Sequence, residues 1–295
     1  MIEHIAACVQ FWSEPNAIAR NVDKCCHWLE RAVKEHEARL VVFPESVTTG
    51  FDPNMPVEEF YEMLSPIPGD ATFKLQALCK ELKVHAVIGL YEQGKNKNEV
   101  LNSSILIDDA GEIRGNYRKT HPFPTERLGG GGWTTPGTET VVVDTKLGKI
   151  GMIICYDGDF PELCRVLALK GAQIITRPSA LMRSFEIWEM VNKARAYDNH
   201  VYFLAPNAVG PDASNSFCFG HSMIISPIAQ TLALARGQEE IISAKLDPDP
   251  IKYITYGSKA PMMFDHLEDR NVSVYKEILQ EGKSSFEPYR RIAYR

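Results

Sequence analysis

The stretch Ile150-Gly151-Met152-Ile153-Ile154-Cys155-Tyr156-Asp157-Gly158-Asp159-Phe160-Pro161-Glu162 decides the fold. Its first five residues are apolar and predict a buried strand that Cys155 ends. Pro161 and Glu162 then open an apolar-periodic segment that Gly171 closes, which is typical of a helix with proline in its first turn and glycine after its end. A strand, a sharp turn and a helix in this order are typical of α/β proteins.

Cys155 has two interpretations at such a turn. A thiol near the positive end of a helix dipole is stabilised as thiolate, the form that attacks carbon. The alternative is a buried structural cysteine, which is common beside strands. The local sequence does not decide between them, and the other motifs of the chain do.

Two further strand-like segments end in charged residues. Leu40-Val41-Val42-Phe43-Pro44-Glu45 ends in a carboxylate, and Gly115-Asn116-Tyr117-Arg118-Lys119 ends in an ammonium group. In open α/β sheets the ligand crevice lies outside the carboxyl ends of the strands. We therefore expect Glu45, Lys119 and Cys155 to converge, although either charge alone would be typical of a solvated surface.

Three motifs together resemble the catalytic motifs of the nitrilase (carbon–nitrogen hydrolase) superfamily. They are Phe43-Pro44-Glu45, Tyr117-Arg118-Lys119 and residues 155–162, in the order usual for that family. Further segments fit the family at residues 5–10, 192–199, 207, 219–225 and 269–275, although Asp198 stands where Glu is more usual. The resemblance covers nearly the whole chain and is closest to the aliphatic amidase and formamidase branch. It implies a four-layer α-β-β-α sandwich of two mixed sheets covered by helices.

The resemblance also implies a cysteine-dependent amidase that acts on linear amides without a cofactor. Cys155 would be the nucleophile, Glu45 the general base, and Lys119 with the backbone N–H of Tyr156 the stabiliser of the oxyanion. Carboxylate and ammonia would be released through a thioester acyl-enzyme. Glu126, seven residues beyond Lys119, matches a second glutamate that helps to hold the substrate amide in that branch; an exposed loop carboxylate is the alternative.

Four other residues are candidates for contacts with the substrate. Tyr61 and Trp133 are possible aromatic residues of the pocket rim, and Arg177 and Ser179 follow a predicted strand end. We predict no metal site. The segment Cys25-Cys26-His27 is helical by pattern, and consecutive helical residues point in different directions.

Three functions stay open at this point. The residues after Cys155 are closer to those of amidases than to those of nitrilases, in which Trp-Glu commonly follows the cysteine. An N-carbamoyl amine or amino-acid amidohydrolase would need the same catalytic groups. A catalytically silent binding or scaffold protein is the alternative of another class, and the intact set of Glu45, Lys119 and Cys155 argues against it.

Length and composition agree with an ordinary globular enzyme. The 295 residues fit one hydrolase domain, placed at 1–263, and a C-terminal tail at 264–295. A net charge of -6 gives no reason to expect nucleic acid, and no apolar stretch is long enough to cross a bilayer. Seven cysteines without paired spacing and an amino terminus unlike a signal peptide favour a cytoplasmic protein. The expected partner is a small-molecule amide, with no nucleic acid and no membrane.

The resemblance further implies a homo-oligomer, a dimer or larger. In the family, a helix like the one predicted from Phe185 to Tyr197 and the C-terminal tail from Phe264 onward form the subunit contact. Apolar residues of that helix would supply the surface: Ile187, Trp188, Met190 and Val191.

The hydrophobic pattern predicts the remaining elements. Strands are predicted near 4–10, 84–91, 101–107, 112–119, 141–144, 149–154, 173–176, 200–205, 217–225, 231–236 and 240–246, and helices near 16–37, 71–82, 163–170 and 185–197. Residues 48–69 are predicted to be irregular because they contain many prolines and glycines.

Overall fold

The computed structural model describes residues 1–252, 254–255, 260–286 and 288–294. It contains two large β-sheets whose strands are connected by helices and loops. The strands are β1 His4–Gln10, β2 Leu40–Val42, β3 His85–Gln93, β4 Val100–Ile107, β5 Ile113–Arg118, β6 Val141–Thr145, β7 Gly148–Met152, β8 Ile174–Thr176, β9 Tyr202–Ala205, β10 Val209–Pro211, β11 Phe217–Phe219, β12 Met223–Ile225, β13 Thr231–Leu234 and β14 Glu240–Leu246. The helices are α1 Ile18–His36, α2 Val57–Met63, α3 Asp70–Leu82, α4 Pro161–Leu169 and α5 Phe185–Asn199.

Each of the two large sheets has a parallel centre and antiparallel edges. The first sheet runs in the order β14-β1-β2-β3-β4-β5, and the second in the order β13-β12-β9-β8-β7-β6. Strands β1, β2 and β3 are parallel in the first sheet, as are β7, β8 and β9 in the second. The parallel strands therefore deliver the segments that follow them to the carboxyl edge of their sheets, where α/β proteins bind ligands.

The sheets pack face to face, and helices cover their outer faces. Strand β1 shows why both faces are apolar: Ala6 and Cys8 belong to the core shared with the second sheet. Ala7 and Val9 point the other way, into the core beneath α1 and α3. Because side chains alternate along a strand, a strand that is buried on both sides reads as a continuous apolar run. The α-β-β-α sandwich of two mixed sheets is thereby confirmed.

Three predicted elements differ from the structure. The irregular stretch at 48–69 contains α2, whose Phe60 is buried against Tyr91. The single strand predicted at 217–225 is two strands, β11 and β12, in different sheets, because Gly220 and His221 both have positive φ values of 75° and 58°. The strand before Cys155 ends at Met152 rather than at residue 154. Short strands and turns of mixed polarity carry too little periodicity to be read from sequence.

The C-terminal tail has little regular structure in its described residues. Two 3-10 turns, Val272–Val274 and Lys276–Leu279, interrupt an otherwise irregular path. Glu287 and Arg295 of the predicted tail lie outside the described residues, and the division into a domain at 1–263 and a tail at 264–295 stays a prediction. Within the described chain, every helix is too short or too polar to span a bilayer.

Candidate active site

Cys155 lies on a sharp turn at the carboxyl end of β7. Its φ is +45°, a left-handed conformation that non-glycine residues seldom adopt, and its N–H donates to Pro178 O at 2.8 Å. The turn continues as a 3-10 helix, Cys155–Asp159, before α4 begins. Buried Asp157 holds this turn, because its Oδ2 accepts from the Ile154 N–H at 2.9 Å and from the Tyr117 hydroxyl at 2.7 Å.

Arg177 stabilises the same turn through hydrogen bonds. Its Nε donates to Cys155 O at 2.7 Å, and its other nitrogens bond to Asn192 Oδ1 at 2.6 Å and Asp159 Oδ1 at 3.2 Å. A Cβ atom at Gly158 would lie 2.2 Å from Arg177 Nε, so this close approach requires glycine. These bonds commit the guanidinium, predicted from sequence to contact the substrate, to protein partners.

Glu45, Lys119 and Glu126 form a buried charged cluster. Glu45 follows β2, Lys119 follows β5 directly, and Glu126 ends a 3-10 turn, Pro124–Glu126. Lys119 Nζ donates to Glu45 Oε1 at 2.7 Å and to Glu126 Oε2 at 2.5 Å, and all three side chains have no exposed area. The structure thus places Glu126 in the interior, in contact with Lys119.

Neutral donors complete the hydrogen bonding of the two carboxylates. Asn102 Nδ2, on β4, donates to Glu45 Oε1 at 2.8 Å and to Glu126 Oε1 at 2.9 Å. The Ala180 N–H donates to the second Glu45 oxygen at 2.9 Å, and the Phe123 N–H donates to Glu126 Oε2 at 2.9 Å. Buried charges require such complete hydrogen bonding, which also fixes the orientation of each carboxylate.

The cluster holds its lysine as a cation. Burial alone would lower the pKa of Lys119, but the adjacent Glu126 and Glu45 carboxylates outweigh burial and raise it well above its usual value. Burial raises the pKa of Glu126, with Lys119 opposing and Glu45 adding to the rise. An ammonium that stays charged is suited to stabilising an oxyanion.

The Cys155 thiol is not a preformed thiolate. Burial raises its pKa to about 12, the Glu45 charge adds to the rise, and Lys119, Arg177 and a hydrogen bond from the Ala180 N–H oppose it. The interpretation that a thiol at this turn is stabilised as thiolate is therefore not supported, because burial raises the pKa of Cys155. The Ala180 N–H donates to a Glu45 oxygen, and Ala180 lines the same cavity as Cys155, so the acid–base group lies near the thiol.

A small cavity opens above the sulfur. Its volume is about 30 Å³, and it is lined by residues of the segments that follow strands of both sheets: Phe51, Phe123, Cys155, Ala180, Leu181, Met182 and Arg183. The wall is mainly apolar, and Arg183 is its charged member. A space of this size accepts a group of a few atoms, so the cavity suits a small acyl or amide group.

The other predicted contact residues lie at different distances from this cavity. The Tyr156 ring packs edge-on against Phe123, which lines the cavity, and against Phe160. Trp133 is buried, with its ring edge-on to Phe51. Tyr61 lies on α2, and its hydroxyl donates to Gly94 O at 3.3 Å. The Ser179 hydroxyl donates to Arg177 O at 3.0 Å, so it turns back to the backbone. Of these residues, the structure brings Tyr156 and Trp133 against cavity-lining rings.

Sequence reasoning missed several residues of the site. Asn102 begins a polar Asn-Ser-Ser run inside β4, and that polarity in a fully buried strand was an available signal. Asp157 and Asp159 lie within the quoted motif but gave no sign of their partners. Ala180 contributes only its backbone N–H, for which no side-chain signal exists.

Acyl transfer is the chemistry that this arrangement permits. The Cys155 thiol, the Glu45 carboxylate and the Lys119 ammonium lie together in the interior. They are the groups needed for nucleophilic attack, proton transfer and oxyanion stabilisation. The described residues include no cluster of three or more His, Cys, Asp or Glu side chains placed to hold a metal ion.

Comparison with known proteins agrees with this chemistry. A model of the carbon–nitrogen hydrolase family matches residues 5–255. A probable nitrilase of Schizosaccharomyces pombe is 31% identical over 277 residues, which cover 92% of this chain and 97% of that protein. The omega-amidase NIT3 of Saccharomyces cerevisiae is 30% identical over 276 residues, which cover 90% and 92%. The crystal structure of Saccharomyces cerevisiae Nit3, a member of branch 10 of the nitrilase superfamily, superposes with a TM-score of 0.74 at 30% identity and covers 84% of this chain and 92% of that one.

Proposed function

The chain belongs to the carbon–nitrogen hydrolase family and is an amidase acting on non-peptide carbon–nitrogen bonds; we propose that it hydrolyses a small linear carboxamide to carboxylate and ammonia. The observation that supports the proposal is the position of Glu45: its Oε2 accepts from the N–H of Ala180, which lines the Cys155 cavity, and its charge raises the pKa of the Cys155 thiol. Glu45 is in turn bonded to Lys119.

Acylation begins from the neutral thiol. Because the pKa of Cys155 is about 12, its proton has to move to Glu45 as the sulfur attacks the amide carbon. The new C–S bond converts the carbonyl into an oxyanion, which Lys119 and the Tyr156 N–H stabilise. When the C–N bond breaks, Glu45 returns the proton to nitrogen and ammonia leaves. The product of this half-reaction is a thioester on Cys155.

Deacylation uses the same groups, with water as the nucleophile and Cys155 as the leaving group. Glu45 takes a proton from water as the water oxygen attacks the thioester carbon. Lys119 again stabilises the oxyanion, the C–S bond breaks, and the proton on Glu45 restores the Cys155 thiol. The carboxylic acid that is formed loses its remaining proton to solvent and departs as the carboxylate.

Glu126 positions both the lysine and the substrate amide. Its Oε2 and Glu45 Oε1 both accept hydrogen bonds from Lys119 Nζ, and the two bonds together fix the position of the ammonium. A carboxylate at this position also accepts a hydrogen bond from the amide NH₂. Arg177, bonded to the Cys155 carbonyl, preserves the strained turn that presents the sulfur.

Ammonia release tests the proposal. The panel contains short aliphatic amides, N-carbamoyl amino acids and nitriles of matched length, assayed with the wild-type protein and with Cys155→Ala. We expect ammonia from the amides and none above background from the variant. Turnover of the N-carbamoyl compounds alone would replace the proposed substrate class, and no turnover of any compound would favour a silent binding protein.

We also propose a cytoplasmic homo-oligomer. The cysteines of the chain are all free and buried, as expected in a reducing compartment. On α5, Ile187 and Met190 are exposed, whereas Trp188 and Val191 are buried against the chain's own core. Of the four apolar residues expected at a subunit contact, Ile187 and Met190 are thus exposed and available for it. Light scattering of the wild type and of Met190→Glu tests it, with dissociation expected in the variant and a monomeric wild type as the contrary result.

A further inference from the structure

Residues near the carboxyl terminus lie against the loop that carries Glu126. This loop, residues 120–132, begins directly after Lys119 and includes the 3-10 turn Pro124–Glu126. The terminal segment, residues 288–294, forms neither helix nor strand. Hydrogen bonds and ring contacts nevertheless join it to the loop on both sides of Glu126.

Tyr294 contacts the start of the loop. Its hydroxyl donates a hydrogen bond to Thr120 O. Its ring centre lies 6.1 Å from that of His121. The His121 ring in turn stacks on Phe160, with 3.9 Å between the ring centres, and Phe160 follows the 3-10 turn that begins at Cys155. Tyr294 is therefore connected both to the loop and, through His121, to the turn that presents the nucleophile.

Arg127, the residue after Glu126, joins the loop to the terminal segment. Its Nε donates to Pro122 O at 3.0 Å within the loop, and its Nη1 donates to Ile292 O at 2.6 Å. Its guanidinium carbon lies 5.7 Å from the centre of the Tyr294 ring, which is close enough for a cation–π contact. The terminal segment is thus bonded to the loop directly beside the residue that carries the carboxylate.

The Ile292 side chain packs on the loop at Gly130. A Cβ atom at Gly130 would lie 2.8 Å from Ile292 Cγ2, a distance at which Cβ atoms are essentially never found, so the contact requires glycine. The exposure of the terminal segment alternates in agreement with this contact. Ile292 and Tyr294 are half-buried, whereas Arg291 and Ala293 are exposed. Two successive inward-facing side chains therefore lie on the loop.

The two residues of the buried ion pair are held in different ways. Lys119 directly follows β5, and its N–H donates to Asn102 O on the neighbouring strand at 2.8 Å. Glu126 belongs to a 3-10 turn of three residues, an element with poorer hydrogen-bond geometry than an α-helix. The sheet fixes the lysine backbone, whereas the position of the glutamate depends on the contacts of its loop.

We propose that Ile292 and Tyr294 are positioning residues, which keep the Glu126 carboxylate against Lys119 by fixing Arg127 and the loop. They act through the loop and make no bond to the substrate. The inference rests on the amidase function and on the role of Glu126 proposed above. A displacement of about 1 Å in such a group can lower a rate about 100-fold, because catalysis depends on the orientation of the reacting groups.

Tyr294→Ala and Tyr294→Phe test this role, with Tyr289→Ala as the matched control. Tyr289 belongs to the same terminal segment and is exposed. We measure kcat with the short aliphatic amide that the wild type hydrolyses fastest. Tyr294→Ala should lower kcat about 10- to 100-fold. Tyr294→Phe, which keeps the ring beside Arg127 and loses the hydroxyl, should lower it less, and Tyr289→Ala should retain the wild-type value.

A double-mutant cycle shows whether Tyr294 acts through Glu126. In Glu126→Gln the positioned carboxylate is already absent, so adding Tyr294→Ala should change kcat by no more than about twofold. A general loss of structure or of subunit association would instead lower kcat by the same factor in both backgrounds. Equal factors, or a wild-type kcat in Tyr294→Ala, would overturn the positioning role.

Hydrogen exchange gives a second readout that needs no turnover. Peptides from residues 120–132 should exchange faster in Tyr294→Ala than in the wild type or Tyr289→Ala, because the loop opens more often without its outer contacts. Unchanged exchange would overturn the proposed contact.

The failures of the two proposals are distinguishable. If the wild type releases ammonia from short amides while kcat and loop exchange are unchanged in Tyr294→Ala, the amidase function stands and the role of the terminal segment is wrong. If exchange increases as expected but the wild type hydrolyses no amide, the contact between the segment and the loop stands and the proposed function is wrong.

Discussion

The two sheets contribute different parts of the active site. Glu45, Lys119 and Asn102 come from the first sheet, and they form a set of charged and neutral hydrogen bonds that is complete without the sulfur. Cys155 and Ala180 come from the second sheet, which supplies the nucleophile and one N–H. Reactivity therefore depends on the packing of one sheet against the other, rather than on the surroundings of the thiol within its own sheet.

A second buried thiol, Cys164, shows how the neighbours of Cys155 distinguish it. Cys164 lies on α4, is fully buried, and has a pKa that burial raises to about 12, as for Cys155. Cys164 has Arg195 and Arg177 among its charged neighbours, whereas Cys155 has Glu45 and Lys119. Two cysteines of equal acidity thus differ in whether a base and an oxyanion stabiliser lie beside them.

Removal of the nucleophile should have the largest effect. Cys155→Ala is expected to reduce kcat for amide hydrolysis on the order of 10⁵-fold, because no other group can form the acyl-enzyme. Cys164→Ala is the matched control and should retain turnover, with a free energy of unfolding lowered by roughly 1 kcal/mol. Comparable losses of activity in both variants would show that the buried thiols matter for packing alone.

Glu45→Gln should make the Cys155 thiol more acidic and the enzyme less active. The variant removes the base, and kcat should fall about 10²- to 10⁴-fold. It also removes a like charge beside the sulfur, so the pKa of Cys155 should fall below about 12, and more thiolate should form at a given pH. Iodoacetamide alkylation measured against pH reports this change. A slower alkylation at every pH would contradict the assigned position of Glu45.

Lys119→Met should destabilise the fold as well as the reaction. It leaves two buried carboxylates without their cation, which is expected to lower the free energy of unfolding by about 3–5 kcal/mol in urea titrations. Adding Glu126→Gln removes one of those charges, and the double variant should recover part of the loss. If the double variant is less stable than the single one, the two residues do not interact as described.

The smallest effect is expected at Asn102. Asn102→Ala removes one donor from each carboxylate, and kcat/KM should fall roughly tenfold. Ser104→Ala is the control on the same strand, since the Ser104 hydroxyl is buried without a hydrogen-bond partner among the described residues. Wild-type kinetics for Asn102→Ala would mean that Lys119 and the backbone N–H groups suffice to orient both glutamates.

The resemblance of the three motifs to those of the nitrilase superfamily predicted the sandwich. The convergence of Glu45, Lys119 and Cys155 was predicted because apolar runs that end in reactive residues mark the carboxyl ends of strands. The sequence did not predict the state of the thiol. The motif shows that a helix begins near Cys155, whereas the burial that raises the pKa of the thiol depends on residues far away in the chain. The hydrogen bonds that Asn102 and Arg183 donate could not be predicted from sequence for the same reason, because tertiary packing determines their partners.

Mass spectrometry of the trapped acyl-enzyme is the most direct test of the central claim, that the sulfur of one sheet reacts through the base and cation of the other. The wild-type protein is mixed with a small amide, quenched in acid within one turnover, and digested. We expect a mass increase equal to the amide minus ammonia on the peptide that contains Cys155, and none in Cys155→Ala. Ammonia release with no adduct on any peptide, continuing in Cys155→Ala, would contradict the account.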